Sequence, residues 1–179
     1  MGMDGAFLQR TAAMLVCAAF CGAAMAQGHK HGAGHAHAHG VGQLQIAIDG
    51  PVVRGELQIP MESLLGFENL PKNTAQKKAV ADLQTATASA DNFVKLPAAT
   101  ACTQVAVTAE SDMFKGKKSE HSDLDYSFEF LCKNPFELKS IEFLVMSKSA
   151  KFKKLKVDMV TPKGQKSTTV QAKNPVLNF

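Results

Sequence analysis

Residues 41–60 read VGQLQIAIDGPVVRGELQIP and give the clearest indication of the fold. Leu44, Ile46 and Ile48 alternate with polar or small residues, which is the pattern of a strand with one buried face. Asp49-Gly50 favours a tight turn between two strands. The alternation resumes after the turn and ends at Pro60, with the apolar positions Val53, Leu57 and Ile59. The stretch therefore predicts an antiparallel β-hairpin.

Short alternating stretches continue after this hairpin. The clearest is residues 120–132, in which one face carries Leu124, Tyr126, Phe128, Phe130 and Cys132. Residues 73–92 have helical, alanine-rich spacing with Asn73 or Thr74 as the N-cap. Further strands are predicted over residues 100–110, 138–146, 152–160 and 167–172. About seven strands and one helix predict an α+β, mainly β fold, an antiparallel sheet or sandwich with the helix packed on it, over a single domain of residues 41–179.

The composition argues against several classes of function. Among 179 residues, 20 are Lys or Arg and 16 are Asp or Glu, an excess of positive charge too small to indicate nucleic-acid binding. The sequence contains no nucleophile elbow, zinc-protease helix, phosphate-binding loop or dinucleotide-binding fingerprint. We therefore expect a protein that is not an enzyme.

Residues 1–26 are typical of a secretory signal peptide. The apolar stretch, residues 11–24, is shorter than the roughly 20 residues of a membrane span, and Ala24-Met25-Ala26 has the form cleaved by signal peptidase. Lipidation at Cys21 and an uncleaved anchor are the alternatives. The sequence thus predicts export to the periplasm, a mature chain beginning at Gln27, and no membrane insertion after cleavage.

Two of the four cysteines, Cys102 and Cys132, lie in the expected mature chain. An even pair in an oxidising compartment predicts a disulfide. Residues 111–119 form a polar, lysine-rich loop between two predicted strands, so the bond would join neighbouring strands. The alternative is a metal site with two thiolate ligands.

Five of the six histidines lie in the predicted tail of residues 27–40: His29, His31, His35, His37 and His39. Neutral imidazole is the commonest side-chain ligand for zinc, copper and nickel. In an extended backbone His35, His37 and His39 would point to the same side. The tail therefore predicts metal binding, with the last histidines anchored to the first strand.

One histidine, His121, lies outside this tail. Asp123 follows at a spacing that places both side chains on one side of a strand, where a carboxylate ligates a metal or orients an imidazole ring. His37, His39 and His121 with Asp123 would supply enough ligands for tetrahedral zinc. Glu68 is a further candidate ligand, with a solvated carboxylate as its alternative.

Several short motifs, taken in order, resemble one family. They are His37-Ala38-His39-Gly40-Val41-Gly42-Gln43-Leu44, Ile46-Ala47-Ile48-Asp49-Gly50, Pro60, Gly66-Phe67-Glu68 with Pro71, Glu120-His121-Ser122-Asp123, and residues 126–132 with Pro135. The chain resembles the ZrgA-like zinc-regulated periplasmic proteins over nearly the whole predicted mature length. The resemblance implies a Gram-negative periplasmic protein that binds Zn²⁺ and assists its uptake. That family often carries a longer histidine-rich insertion, whereas residues 111–119 contain no histidine, so the expected ligands are those of the tail and His121.

Three functions remain open at this point. The first is a zinc-binding protein that passes Zn²⁺ to a component of a zinc-import system. The second is a buffer or sequestering protein for zinc, copper or nickel without a transporter partner. The third is a structural or interaction module with an incidental histidine tail. The oligomeric state does not follow from the sequence.

Overall fold

A computed structural model describes residues 38–179 of the chain. The predicted signal peptide and the tail up to His37 lie outside these residues. The described part contains three α-helices, α1 (Met61–Leu65), α2 (Thr74–Ala86) and α3 (Leu144–Ser147). Its strands are β1 (Val41–Asp49), β2 (Val52–Pro60), β3 (Cys102–Glu110), β4 (Asp123–Cys132), β5 (Ser140–Glu142), β6 (Lys154–Thr161), β7 (Gly164–Gln171) and β8 (Val176–Asn178). The predicted α+β, mainly β class is confirmed.

Six of these strands form one sheet in the order β3-β4-β2-β1-β6-β7, and β5 pairs with β8 in a second, two-stranded sheet. The hairpin predicted from residues 41–60 is confirmed, with Leu44 opposite Leu57 and Ile46 opposite Gly55. All neighbouring strands run antiparallel except β1 and β6, which are parallel. This parallel pair joins the β1–β2 hairpin to the β6–β7 hairpin within the sheet.

One face of the large sheet is buried and the other faces solvent, as the alternating burial along β1, β2, β4 and β6 shows. The buried face packs against residues from the connections and the small sheet, among them Phe93, Ile141, Phe143 and Phe152. Gly55 allows the Phe128 ring to lie across β2, because a Cβ at this position would be 2.2 Å from the ring carbon Cζ. The apolar face predicted for residues 124–132 therefore forms part of one core.

Two predicted elements differ from the observed ones. The helix begins after the Asn73 cap as expected but ends at Ala86 and not near residue 92. At this end the Thr87 hydroxyl donates a hydrogen bond to the Gln84 carbonyl. Of the predicted strand 138–146, only Ser140–Glu142 is a strand, and α3 follows it. The alternation continues as far as Val145 and is broken at Met146, because Val145 and Met146 are both buried, and adjacent buried residues suit a helical turn better than a strand.

The predicted disulfide is confirmed, and it joins Cys102 to Cys132 at directly opposed positions of β3 and β4. Because the two sulfurs are bonded to each other, neither is a thiolate, and the alternative of a metal site with two thiolate ligands is excluded for the oxidised protein. Over residues 38–179, no helix combines the length and the apolar character needed to cross a bilayer.

Tyr126 is the single tyrosine of the chain and is 2% exposed. Its hydroxyl makes no hydrogen bond within residues 38–179. Burial, with a smaller contribution from the negative charge of Asp91, raises the pKa of Tyr126 to about 12. The pKa of tyrosine in the unfolded chain is about 10. The part of the folding free energy that depends on a neutral Tyr126 is therefore fully present below pH 10 and is lost as the pH rises toward 12.

We therefore expect the phenolate absorbance of the native protein to develop at higher pH than that of the same protein in concentrated urea. Because the chain contains no tryptophan and one tyrosine, the change in absorbance reports the ionisation of Tyr126 alone. Stability measured by urea unfolding should fall over the same alkaline interval. Identical titration curves for the native and unfolded protein would contradict the prediction.

Candidate metal-binding site

The starts of β1 and β4 lie on either side of the end of β2, because β2 pairs with both strands. The nearest register pairs are Gln43 with Gln58 and Pro60 with Asp123. Each register can be continued beyond these pairs, one residue at a time on each strand. The β1–β2 register then places His39 opposite Glu62, and the β2–β4 register places His121 opposite Glu62. The chain between Pro60 and Glu68, here called the junction segment, thus lies between two histidines.

His39 is held by the backbone of the next residue, Gly40. The Gly40 N–H donates to Ser63 Oγ at 3.1 Å, and its carbonyl accepts from the N–H groups of Lys153 and Lys154 at 2.8 and 3.0 Å. Gly40 has φ of +76°, and a Cβ there would be 2.6 Å from the Lys151 carbonyl oxygen. A glycine is therefore required for the chain to pass here with His39 facing the junction segment.

The His39 ring contacts the carboxylate of Glu62, with Nδ1 2.6 Å from Oε2. The other oxygen of Glu62, Oε1, accepts from Lys151 Nζ at 3.0 Å, and the same ammonium donates to the Gly66 carbonyl at 3.1 Å. The hydrogen bond from Lys151, assisted by His39 and opposed by partial burial, lowers the pKa of Glu62. Glu62 is thus an anion at neutral pH, and its Oε2 can accept from Nδ1 in the ring tautomer whose other nitrogen, Nε2, carries the lone pair.

His121 meets the other end of the junction segment. Its Nδ1 lies 3.4 Å from Glu68 Oε2, a longer contact than that of His39. The position is secured by the next residue, because the Ser122 carbonyl accepts from the Met61 N–H at 2.8 Å. The side chains of His39 and His121 are 62% and 52% exposed. Both rings are therefore oriented by a carboxylate and remain accessible to an ion from solvent.

Asp123 and His121 line the same small cavity of about 230 Å³ beside the start of β4. Three acidic residues, two serines and one lysine form the remaining walls: Glu110, Asp112, Asp125, Ser111, Ser122 and Lys115. Lys115 Nζ binds Glu110 Oε2 at 2.8 Å and supplies a counter-charge. Burial raises the pKa of Asp125, partly offset by a hydrogen bond from Gln58. The cavity adds negative potential next to His121.

Three of the seven predicted metal ligands, His39, His121 and Asp123, lie in the described part of the chain. His29, His31, His35 and His37 lie outside it. Within residues 38–179, no three His, Cys, Asp or Glu side chains are arranged to hold a metal ion together. The combined site of His37, His39, His121 and Asp123 stays a prediction, because one of its members is not described.

Two residues of this region, Glu62 and Lys151, were not among the predicted ligands. The hairpin register itself contains a signal for Glu62, since it places this residue opposite His39. No comparable signal points to Lys151, which reaches Glu62 from a loop that is distant in sequence. Glu68 was predicted as a possible ligand or a solvated carboxylate, and the structure places it against His121.

Fold and site together define a mainly β, α+β domain with two histidine–carboxylate pairs at one end of its large sheet. The model of the ZrgA family, described as a zinc uptake protein, matches residues 36–179. The chain belongs to this family, which confirms the resemblance found in the sequence. No curated protein matches the chain. Family membership supports a role in zinc uptake.

Proposed function

We propose that this protein is a periplasmic, non-catalytic zinc-binding protein that captures Zn²⁺ and assists its uptake. The observation that carries the proposal is the contact of His39 Nδ1 with Glu62 at 2.6 Å. In protein zinc sites a ligating histidine usually donates its second ring N–H to a carboxylate or carbonyl, which fixes the tautomer and raises the basicity of the ligating nitrogen. Glu62 has this relation to His39.

The remaining ligands come, in this proposal, from the histidine tail. Zn²⁺ prefers four ligands in tetrahedral geometry, and His39 offers one nitrogen. His35 and His37 precede it at alternating positions, so they are the nearest histidines in the sequence. His29 and His31 extend the supply of neutral imidazoles. The tail would gather zinc, and the anchored His39 would give the bound ion a defined location on the domain.

His121 provides a second anchoring point on the other side of the junction segment. Its partner Glu68 and the acidic cavity that it shares with Asp123 favour a divalent cation electrostatically. Export is supported by the predicted signal peptide, and the Cys102–Cys132 disulfide suits an oxidising compartment.

The first test is calorimetric titration of the metal-stripped protein with Zn²⁺ at neutral pH. We expect His39→Gln to weaken the tightest zinc site by about 10- to 100-fold, the usual effect of losing a ligand or its orienting partner. Glu62→Gln should weaken the same site by about 10-fold, because the uncharged amide orients the ring less strongly. His121→Gln reports whether the second anchoring point contributes.

Glu56→Gln is the matched control. Glu56 is an exposed carboxylate on the solvent side of β2, opposite Gln45 and Ser127, and the same change there should leave the isotherm unaltered. Equal zinc affinity in the wild-type protein and in all three test variants would overturn the assignment of the site. No measurable zinc binding by the wild-type protein would overturn the function.

Zinc uptake and zinc buffering differ in their effect on cells. If the protein assists uptake, deleting its gene should lower total cell zinc and slow growth when zinc is limiting, and His39→Gln should reproduce part of the defect. A buffer without a transporter partner predicts the reverse dependence, with sensitivity to excess zinc. Normal growth and normal cell zinc under both conditions would contradict the uptake proposal.

A further inference from the structure

Lys151 brings a positive charge to the carboxylate that orients His39. It lies on the loop between α3 and β6, and its ammonium donates to Glu62 Oε1 at 3.0 Å and to the Gly66 carbonyl at 3.1 Å. Zn²⁺ is also positive, so the two cations repel each other. A site built only for tight zinc binding would gain from an uncharged residue at this position.

The loop that carries Lys151 is fastened to the backbone beside His39. The Gly40 carbonyl accepts from the N–H groups of Lys153 and Lys154, and the Lys151 carbonyl oxygen lies against Gly40, 2.6 Å from where a Cβ would be. The contacts that place the His39 backbone therefore place Lys151 as well. The ammonium is a fixed part of this region.

Glu62 is held in place by its own segment. Its neighbours in the chain, Met61 and Ser63, are both 0% exposed, and Ser63 Oγ accepts from the Gly40 N–H at 3.1 Å. The backbone of Glu62 is thus fixed by buried neighbours on both sides. Lys151 contributes its charge and one hydrogen bond, and the position of the carboxylate does not depend on it.

Three effects of Lys151 lower the affinity for zinc at His39. Its charge repels Zn²⁺ through space. Its hydrogen bond draws negative charge from the carboxylate, which then raises the basicity of the His39 ring less strongly. It also occupies Glu62 Oε1, while Oε2 is 2.6 Å from His39 Nδ1, so neither oxygen is open to the ion as a ligand.

We infer that Lys151 is a built-in cation that limits the zinc affinity of the His39–Glu62 pair and keeps the bound ion exchangeable. The inference rests on the proposed function, because it concerns the same zinc site. A protein that assists uptake must release the ion that it captures, and an ammonium fixed beside the site favours release without closing the site to zinc.

The test is titration of the metal-stripped protein with Zn²⁺ in competition with a zinc-chelating indicator at neutral pH. Lys151→Gln should tighten the tightest site by about 10-fold, because the repulsion ends and Glu62 Oε1 is released. Lys151→Arg keeps the charge and should retain the wild-type affinity. The Lys151 side chain is 52% exposed, so both variants should fold, which circular dichroism checks.

Lys148→Gln is the matched control. Lys148 lies on the same loop, and its ammonium donates to the Asn92 carbonyl at 2.7 Å. The same loss of charge there should leave the zinc affinity unaltered. Release of zinc into excess EDTA should be slower in Lys151→Gln than in the wild-type protein and unchanged in the control.

A double-mutant cycle tests the route through Glu62. In a Glu62→Gln background, Lys151→Gln should tighten zinc binding by less than about 3-fold, because no carboxylate remains to be released. A full gain of affinity in that background would overturn the inference.

Unchanged or weaker zinc binding by Lys151→Gln, in a wild-type protein that binds zinc, overturns the inference and leaves the proposed function standing. An equal gain in Lys148→Gln overturns it too, because the effect would then be one of net charge. A wild-type protein that binds no zinc overturns the proposed function, and this inference with it.

Discussion

Phe93→Ala should lower the free energy of unfolding by about 3–5 kcal/mol, the usual cost of truncating a buried phenylalanine. Phe93 is 2% exposed, and its ring stacks on Tyr126 with the centroids 4.3 Å apart. The Phe93 carbonyl also accepts a hydrogen bond from the Val145 N–H at 3.1 Å. The substitution would leave a cavity between the large sheet and the connections packed on it, and this rigid site cannot collapse fully to fill it.

The measurement is urea unfolding followed by far-ultraviolet circular dichroism. Phe136→Ala is the matched control, because Phe136 is 87% exposed and its truncation should change the free energy of unfolding by less than about 0.5 kcal/mol. A loss as small as that of the control would show that Phe93 does not belong to the core. A loss confined to the control would contradict both the burial of Phe93 and the exposure of Phe136.

Removal of the disulfide is the second large effect. The Cys102→Ala/Cys132→Ala variant should lose about 3–4 kcal/mol of stability, since the bond closes a loop of 30 residues and limits the freedom of the unfolded chain. Cys132 is also buried at 3% exposure, so its truncation removes some packing. The bond lies at an open edge of the sheet, where fewer neighbours hold the strand.

Reduction supplies the control for this prediction. Wild-type protein with its thiols reduced should unfold at nearly the same urea concentration as the double variant, and reductant should not affect the double variant. A reduced wild-type protein, with free thiols verified chemically, that keeps its full stability would contradict the predicted contribution. Zinc affinity of the oxidised protein should match that of the double variant if the sulfurs are not ligands.

Short-range regularities predicted most of the strands of the large sheet. The turn at Asp49-Gly50 and the alternation on both sides of it predicted the β1–β2 hairpin, and the alternating residues of β4 predicted one buried face. These features are local because strand periodicity and turn residues act over a few positions. The cysteine pair also predicted its bond, since one loop connects the two strands that carry it.

Pairing between distant segments could not be predicted in the same way. The parallel neighbour of β1 is β6, yet nothing in either strand distinguishes this partner from another alternating strand. The last short strand, β8, has three residues and exists by pairing with β5. The end of α2 and the helical turn at α3 likewise depend on what each segment packs against, which outweighs weak intrinsic preference.

The class of fold, the hairpin, the disulfide and the concentration of histidines before the first strand could all be predicted from the amino-acid sequence. Each of these follows from residue type and short spacing. The structure was needed to show that His39 contacts Glu62, that Lys151 binds Glu62 from a loop distant in sequence, and that His121 contacts Glu68. Because β2 lies between β1 and β4, the segments that precede these two strands each bring one histidine to the junction segment. This strand order is set by long-range packing and not by local sequence pattern.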